Sequence, residues 1–334
     1  MQKYGASAFI LHSAICILHS FISRFCFRQS SAKLPAMTLS VVIITFNEEA
    51  NIARTLASVQ ELVRALDGEI IVVDSGSTDR TREIAASYGA KVFVEEWKGF
   101  AAQKNSAIEK ASGDWILSLD ADEALSEQLT RELELFPRAM SAVAAIHSAP
   151  SRNSRVKIAY DAEDEIARTH HVLLEEAHLR RLAKAPPVGF FVPRRNYFCG
   201  NWIRFGGFYP DKKLRLFRRE RGRFENRLVH EDVVVQGPTA SLSNAILHHA
   251  YPTLDVYLEH MRRYAELGAE MIRHKPRALL LLNRWLNPPL TFLYNYVVRL
   301  GFLDGREGFL LHWNHSRYVS WKYAKALELS QQTN

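Results

Sequence analysis

Asp120-Ala121-Asp122 sets two carboxylates two residues apart, directly after the apolar run WILSL at 115–119. Hard oxygen ligands of this kind suit Mg2+ or Mn2+, and a cation held there can also take the oxygens of a diphosphate. Taken alone, the pair is equally an ordinary strand-end turn, where aspartate is common. Asp74 ends a second apolar run, EIIVV at 69–73. A carboxylate there can accept from a base N–H or a ribose hydroxyl, and it can equally cap the loop Ser75-Gly76-Ser77-Thr78. Asp79 fits an N-cap for a helix over 80–88, because its carboxylate can accept the orphan amides of the first turn. Farther on, Lys212, Lys213, Arg215, Arg218 and Arg219 lie among Leu214, Leu216 and Phe217, which reads as a strand with one apolar and one basic face. That face is either solvated or a contact for phosphate oxygens, which guanidinium forks match.

These residues need a frame that gathers them. LSVVIIT at 39–45 is a continuous β-branched run, the mark of a strand buried on both faces. A helix follows over 47–63, with Ile52, Leu56, Val59 and Val63 on one face. Residues 69–73, 91–94 and 115–119 read as further strands, with helices over 80–88 and 100–111 between them. Strand and helix alternating at this spacing predict a parallel sheet with right-handed crossovers. Ligands of such sheets sit beyond the carboxyl ends of the strands. That rule singles out 45–49, 74–79 and 120–123, all polar or acidic.

The chain has 334 residues, 47% hydrophobic and 24% charged, with a formal net charge of +7. The length suits one large α/β domain with an extension, and the composition is that of a globular chain. The positive balance favours phospholipid, nucleic acid or phosphate-rich substrates. Nucleic-acid binding rests on charge alone, with no recognition motif behind it, so no nucleic-acid partner is expected. Cys16, Cys26 and Cys199 show neither paired spacing nor a metal motif, as expected in a reducing compartment. Residues 1–36 hold an apolar stretch broken by His12, His19 and Arg24. Translation starting at Met37, a membrane anchor and a secretion signal all remain open for them.

Three blocks, SVVIITFNEEANI at 40–52, IIVVDSGSTDRT at 70–81 and QKNSAIEKASGDWILSLDADE at 103–123, resemble glycosyltransferase family 2 in content, order and spacing. Three more, GFFVPRRNYFCGNWIRFGG at 189–207, YPDKKLRLFRR at 209–219 and RLVHED at 227–232, are similar to a bacterial branch that includes lipopolysaccharide-core β-1,4-glucosyltransferases. The resemblance implies an α/β GT-A fold, with a Rossmann-like, mostly parallel sheet flanked by helices over 37–248 and a C-terminal amphipathic helical extension over 249–334. It also implies inverting transfer of a sugar, glucose first among them, from a nucleotide-sugar such as a UDP-sugar to a glycolipid or lipopolysaccharide-core acceptor. Transfer to polyprenyl phosphate and a non-catalytic nucleotide-sugar-binding relative are the alternatives.

Carried over by position, the resemblance makes Thr45, Phe46 and Glu48 the nucleotide-pocket segment, with Phe46 where many relatives have Tyr. Asp74 corresponds to the acid contacting base or ribose, and Lys104 and Asn105 to helix residues beside the donor. Asp120 is implied for donor and metal, Asp122 for the metal, Mg2+ or Mn2+. Glu231 is favoured over Asp232 as the base that takes the acceptor proton. Arg215 and Arg218 are expected on the donor diphosphate, and residues 193–198 and 202–204 around the acceptor.

One departure is an insertion near 138–185 with no counterpart in that branch; it contains His170, His171 and Glu175, and a surface helical excursion is the expectation. After it, an amphipathic helix is expected over about 254–272. The tail beyond combines apolar and aromatic residues with Arg284, Arg299, Arg306, Arg317 and Lys322. That mixture suits either an anionic membrane surface or a helix packed on the domain. A cytoplasmic enzyme peripherally associated with the inner membrane is the localisation it implies.

Overall fold

The computed structural model describes residues 37–148, 185–225 and 232–331. The expectations for 1–36, for most of the insertion with His170, His171 and Glu175, and for Glu231 lie outside these residues. The chain divides into two compact units, Met1–Pro193 with Lys213–Ile246, and Arg194–Lys212 with Leu247–Asn334. The second unit therefore takes in residues 194–212 as well as the helical tail expected from 249 onward.

The first unit is built on strands β1 (Leu39–Thr45), β2 (Glu69–Asp74), β3 (Lys91–Val94) and β4 (Trp115–Asp120), in the order β3-β2-β1-β4 and all parallel. Helices α1 (Ile52–Ala65), α2 (Thr81–Ser87) and α3 (Phe100–Lys110) connect them. β1 is mostly apolar, and both of its faces are covered. Leu39, Val41 and Ile43 pack with Leu56, Val59 and Trp115, while Val42 packs with Ile71, Ile108 and Ile116. Each buried side chain of this size contributes about 1.5–3 kcal/mol, so a one-residue slip of β1 would be costly on both faces.

β5 (Glu123–Leu125) and the long helix α4 (Glu127–Ser148) follow β4. Beyond the insertion come β6 (Gly189–Phe198), β7 (Asn201–Trp202), β8 (Asp211–Arg218), β9 (Gly222–Phe224), β10 (Val233–Val235), β11 (Thr239–Ser241) and β12 (Ile246–Tyr251). β8 lies beside β4 and runs antiparallel to it, pairing Trp115 with Arg218 and Leu117 with Leu216. The fold is thus mixed α/β, with a parallel half that matches the sequence expectation and an antiparallel addition. Register is what positions the site: Thr45 stands opposite Asp74, and Ile44 opposite Asp120. Both acids therefore end at one edge of the sheet, on the two strands flanking β1.

In the second unit, α5 (Leu254–Ile272) starts at Thr253, whose hydroxyl accepts from the Val256 amide at 3.3 Å. α6 (Arg277–Phe292) leads into a π-helical turn (Leu293–Val298) and a 3-10 turn (Gly301–Asp304), before α7 (Gly305–Gln331). Pro288 and Pro289 lie inside α6; proline lacks the N–H that continues a helix ladder, and the irregular turn follows just after them. The core here joins Ala269 of α5 and Leu280 of α6 to Val319, Tyr323 and Ala326 of α7. Among the described residues, no helix is long and apolar enough to cross a membrane.

Candidate active site

Two strand-end loops are laced together beyond β1 and β2. Asn47, at φ 54, accepts the Thr78 amide on its side-chain oxygen at 2.8 Å, and its own amide donates to the Ser77 hydroxyl at 2.8 Å. The Glu48 amide donates to Thr81 Oγ1 at 2.7 Å and the Glu49 amide to Asp79 Oδ2 at 3.1 Å. In return, the Arg80 amide donates to the Glu49 carboxylate at 3.0 Å. Asp79 also accepts the Thr81 amide at 3.0 Å, but the helix begins at Thr81 with Arg80 in the N-cap position and no side-chain cap bond, so Asp79 ties the loop before the helix and is not its N-cap. These bonds fix the loops around Phe46, whose ring stays 58% exposed.

Asp74 is fully buried. Its carboxylate accepts from Thr45 Oγ1 at 3.0 Å, from the Gly76 amide at 3.1 Å, from the Ser77 amide at 2.8 Å and from the Ser77 hydroxyl. Of the two roles open to it, the structure displays the loop-organising one. Thr45 is consumed in the same network.

The acid after β4 is handled differently. Asp120 accepts from Lys104 Nζ at 2.7 Å and from Arg215 Nη2 at 2.5 Å. Arg215 reaches on to Glu123 at 2.6 Å, and Glu123 accepts the Asp120 amide at 3.0 Å. Burial pushes the Asp120 carboxyl up, but the Arg215 and Lys104 charges overcome it and hold it well below the usual carboxylate range. Its side chain keeps 31% exposure while Lys104 and Arg215 have 9% and 6%, so a partly exposed carboxylate rests with one oxygen on each of two buried cations. Glu123 was read only as part of a motif; a buried acid paired with an Arg far along the chain has no signature in linear sequence.

Glu48 is raised above its ordinary value, first by burial, against a lowering bond from Asn51, and then by the charges of Asp122, Asp79 and Asp120. Hard carboxylate oxygens suit a divalent cation, although among the described residues no group of three or more metal-ligating side chains is gathered. Asp122 and Asp120 are the residues that would hold it, Asp120 while engaged with its two cations.

Lys104 and its neighbour tie this edge to a second hairpin. Asn105 donates to the Phe224 carbonyl at 2.9 Å and accepts the Phe224 amide at 2.9 Å. Lys104 Nζ sits 5.2 Å from the centre of the Phe224 ring. Asn105 is therefore an anchor for β9, with its amide committed to backbone, in place of the open donor contact expected of it. β9 pairs with β10, Phe224 opposite Val233, and the Glu225 amide donates to the Asp232 carbonyl at 3.3 Å. The described ends of the segment that carries Glu231 thus meet one residue beyond Phe224, which itself rests on Lys104.

Arg218 departs from its expectation. It pairs in register with Trp115, the first residue of β4, and its guanidinium lies 5.1 Å from that ring. Because β8 runs antiparallel to β4, each step from Arg215 to Arg218 leads away from Asp120. The basic face anticipated for this strand is likewise absent: Leu214, Arg215, Leu216 and Phe217 are all buried.

In the second unit, Arg194 binds Asp211 at 2.6 Å, and His248 Nδ1 lies 2.7 Å from the Asn196 side-chain oxygen. These four line a cavity of about 270 Å³ with Phe208 and Tyr251. Nearby in sequence, Arg195 and Arg204 each lie 4.6 Å from the Trp202 ring.

The family model for glycosyl transferase family 2 matches residues 40–153, the span holding β1 to β5 and every strand-end acid above. The lipopolysaccharide core biosynthesis glycosyltransferase LpsC of Rhizobium meliloti (strain 1021) is 29% identical over 287 residues, covering 83% of this chain and 87% of that protein. An uncharacterized glycosyltransferase of Rickettsia felis is 50% identical over 96 residues, 29% of this chain and 32% of that protein. Among solved structures, glucosyl-3-phosphoglycerate synthase from Mycobacterium tuberculosis, in complex with Mn2+, uridine diphosphate and glucosyl-3-phosphoglycerate, is 35% identical. That alignment covers 26% of this chain and 34% of the synthase, with a TM-score of 0.25.

Proposed function

Residues 40–153 being a glycosyl transferase family 2 domain, and the chain accordingly a glycosyltransferase, we propose that it moves a sugar, glucose first, from a UDP-sugar to a cell-envelope glycolipid such as lipopolysaccharide core. The observation that carries the site is the continuous row Asp120, Lys104, Phe224 and Val233. It joins Asp120 to the β9–β10 hairpin, where the described chain resumes at Asp232, the residue after Glu231 in sequence. The glycolipid acceptor is supported by the LpsC relative, which spans most of that protein's length.

In this reading Phe46 offers its exposed ring to the base, and the laced loops at 46–51 and 75–80 hold that ring in place. Lys104 and Arg215 keep Asp120 ionised, and Asp120 and Asp122 are the residues that would hold Mg2+ or Mn2+. A divalent cation there would neutralise the departing nucleoside diphosphate. Glu231, or Asp232 beside it, takes the proton of the acceptor hydroxyl as that oxygen attacks the anomeric carbon. The attack comes opposite to the leaving phosphate, so configuration inverts. An anionic membrane surface is the expected setting, with the enzyme peripheral on the cytoplasmic side of the inner membrane.

The deciding measurement is release of UDP from UDP-sugars by the purified chain, with Mn2+ or Mg2+ and a rough lipopolysaccharide acceptor, with polyprenyl phosphate as the alternative acceptor. Glu231→Gln is expected to retain UDP-dependent thermal stabilisation and lose turnover. Full turnover in that variant moves the base to Asp232. No turnover with either acceptor, in a chain that also ignores UDP, overturns the reading.

A further inference from the structure

Apolar side chains crowd the surface of α6 and the two turns after it. Trp285 is 74% exposed, Val298 65% and Leu282 54%, and Leu290, Leu293 and Tyr294 are exposed beside them. α6 buries only Leu280, and the π-helical turn buries nothing. A helix packed on its own domain hides its apolar stripe; here the stripe is on the outside. α7 behaves in the opposite way, burying Leu311, Val319, Tyr323, Ala326 and Leu327 among its nine buried residues. The membrane-facing character expected of the whole tail therefore belongs to one part of it.

Charge indicates what covers this face. Residues 277–303 contain Arg277, Arg284 and Arg299 and no acidic residue. A second copy docked on the same face would set arginine against arginine, with no carboxylate in the segment to compensate. An anionic lipid leaflet accepts both features at once, apolar side chains below the headgroups and guanidinium groups among the phosphates. Rings support the outer edge: Phe292 stacks on Tyr296 at 4.9 Å, and Phe309 on Trp313 at 6.1 Å. Aromatic residues favour the headgroup level, where one end is apolar and the other wet. With no described helix long and apolar enough to cross, the segment has to lie in the plane of the leaflet.

We propose that residues 277–303 form an interfacial insertion element that seats the second unit on an anionic bilayer surface. This deepens the reading of a membrane-held glycolipid acceptor and rests on it for its purpose, while its test stands apart. Full-length protein is sedimented with phosphatidylcholine vesicles made with and without phosphatidylglycerol. Binding to the anionic vesicles is expected, with a blue shift in tryptophan emission as Trp285 leaves water. Leu282→Ser, Trp285→Ser and Val298→Ser together should weaken partition roughly a hundredfold while circular dichroism stays unchanged. Should that variant misfold, Arg277→Glu with Arg284→Glu provides the second arm, and it should lose the preference for phosphatidylglycerol. Wild-type protein left in the supernatant with both vesicle types overturns the proposal. So does a dimer, seen by light scattering, that the serine variant converts to monomer. UDP release onto a detergent-solubilised acceptor is read in parallel. Turnover without vesicle binding sinks the insertion element alone, and vesicle binding without turnover sinks the transferase reading alone.

Discussion

Asp120 and Asp122 stand two residues apart in one motif, and separate variants distinguish the roles proposed for them. Asp120 is ionised by two buried cations, so removing Arg215 strips a partner from both Asp120 and the fully buried Glu123. Breaking a buried pair in this way costs about 3–5 kcal/mol. Arg215→Met should therefore lower the urea midpoint markedly, and a wild-type midpoint would show that the triad contributes little. Asp122→Asn leaves those pairs intact; it should keep the midpoint and reduce divalent-dependent UDP release by roughly a hundredfold or more. At this scale the sequence was informative about local position: the placement of Asp74 and Asp120 at strand ends was readable directly, while the helix cap was displaced from Asp79 to Arg80. It was silent where the partner is remote. Nothing near Arg215 announces Glu123, and nothing in the tripeptide Lys-Asn-Ser announces that Asn105 clamps the backbone of Phe224.

Elements repeat that division. β1 to β4 and the helices between them were legible to within a few residues, because strands buried on both faces and amphipathic helices write their burial into adjacent positions. β8 was not. Its direction is set by its pairing with β4, and antiparallel pairing sends Arg218 to the end away from Asp120. Asn105→Ala tests the connection between α3 and β9. It leaves the Phe224 amide and carbonyl without their side-chain partner, at a cost of about 1–3 kcal/mol, and faster amide exchange in β9 and β10 should report it. α7 carries a second test. His312 is almost fully buried beside Gly206 and Gly301, and neither ring nitrogen has a hydrogen-bond partner among the described residues. Burial, and then Arg299, depress it to about 4, while burial, then His312 and Lys322, depress His315 to about 4. Both rings are thus neutral when folded, and the unfolded chain binds more protons between the two values. Their contribution is present above the ordinary histidine value of about 6.5 and is lost as pH falls toward 4. The melting temperature should drop from pH 7 to pH 5, and His312→Leu should flatten that drop. An unchanged slope would place the acid sensitivity elsewhere.

For the whole molecule, the net charge of +7 favours an anionic partner without saying where it binds. The three-dimensional arrangement assigns the apolar component to residues 277–303, a distinction composition could not make because α7 has a similar mixture of residues. Raising salt should weaken the electrostatic part of vesicle binding and leave the apolar part, since screening shortens to about 3 Å at 1 M ionic strength. A residual bound fraction at high salt is expected, and complete release would mean that arginines alone hold the chain. The proposed seating of α6 on a bilayer would also change what concentration means for this enzyme. A catalyst confined to a leaflet would search for a lipid-borne acceptor in two dimensions, and its velocity would follow the acceptor's mole fraction in the bilayer. Adding plain lipid at constant total acceptor should slow the reaction by surface dilution, although nothing in the test tube has become more dilute.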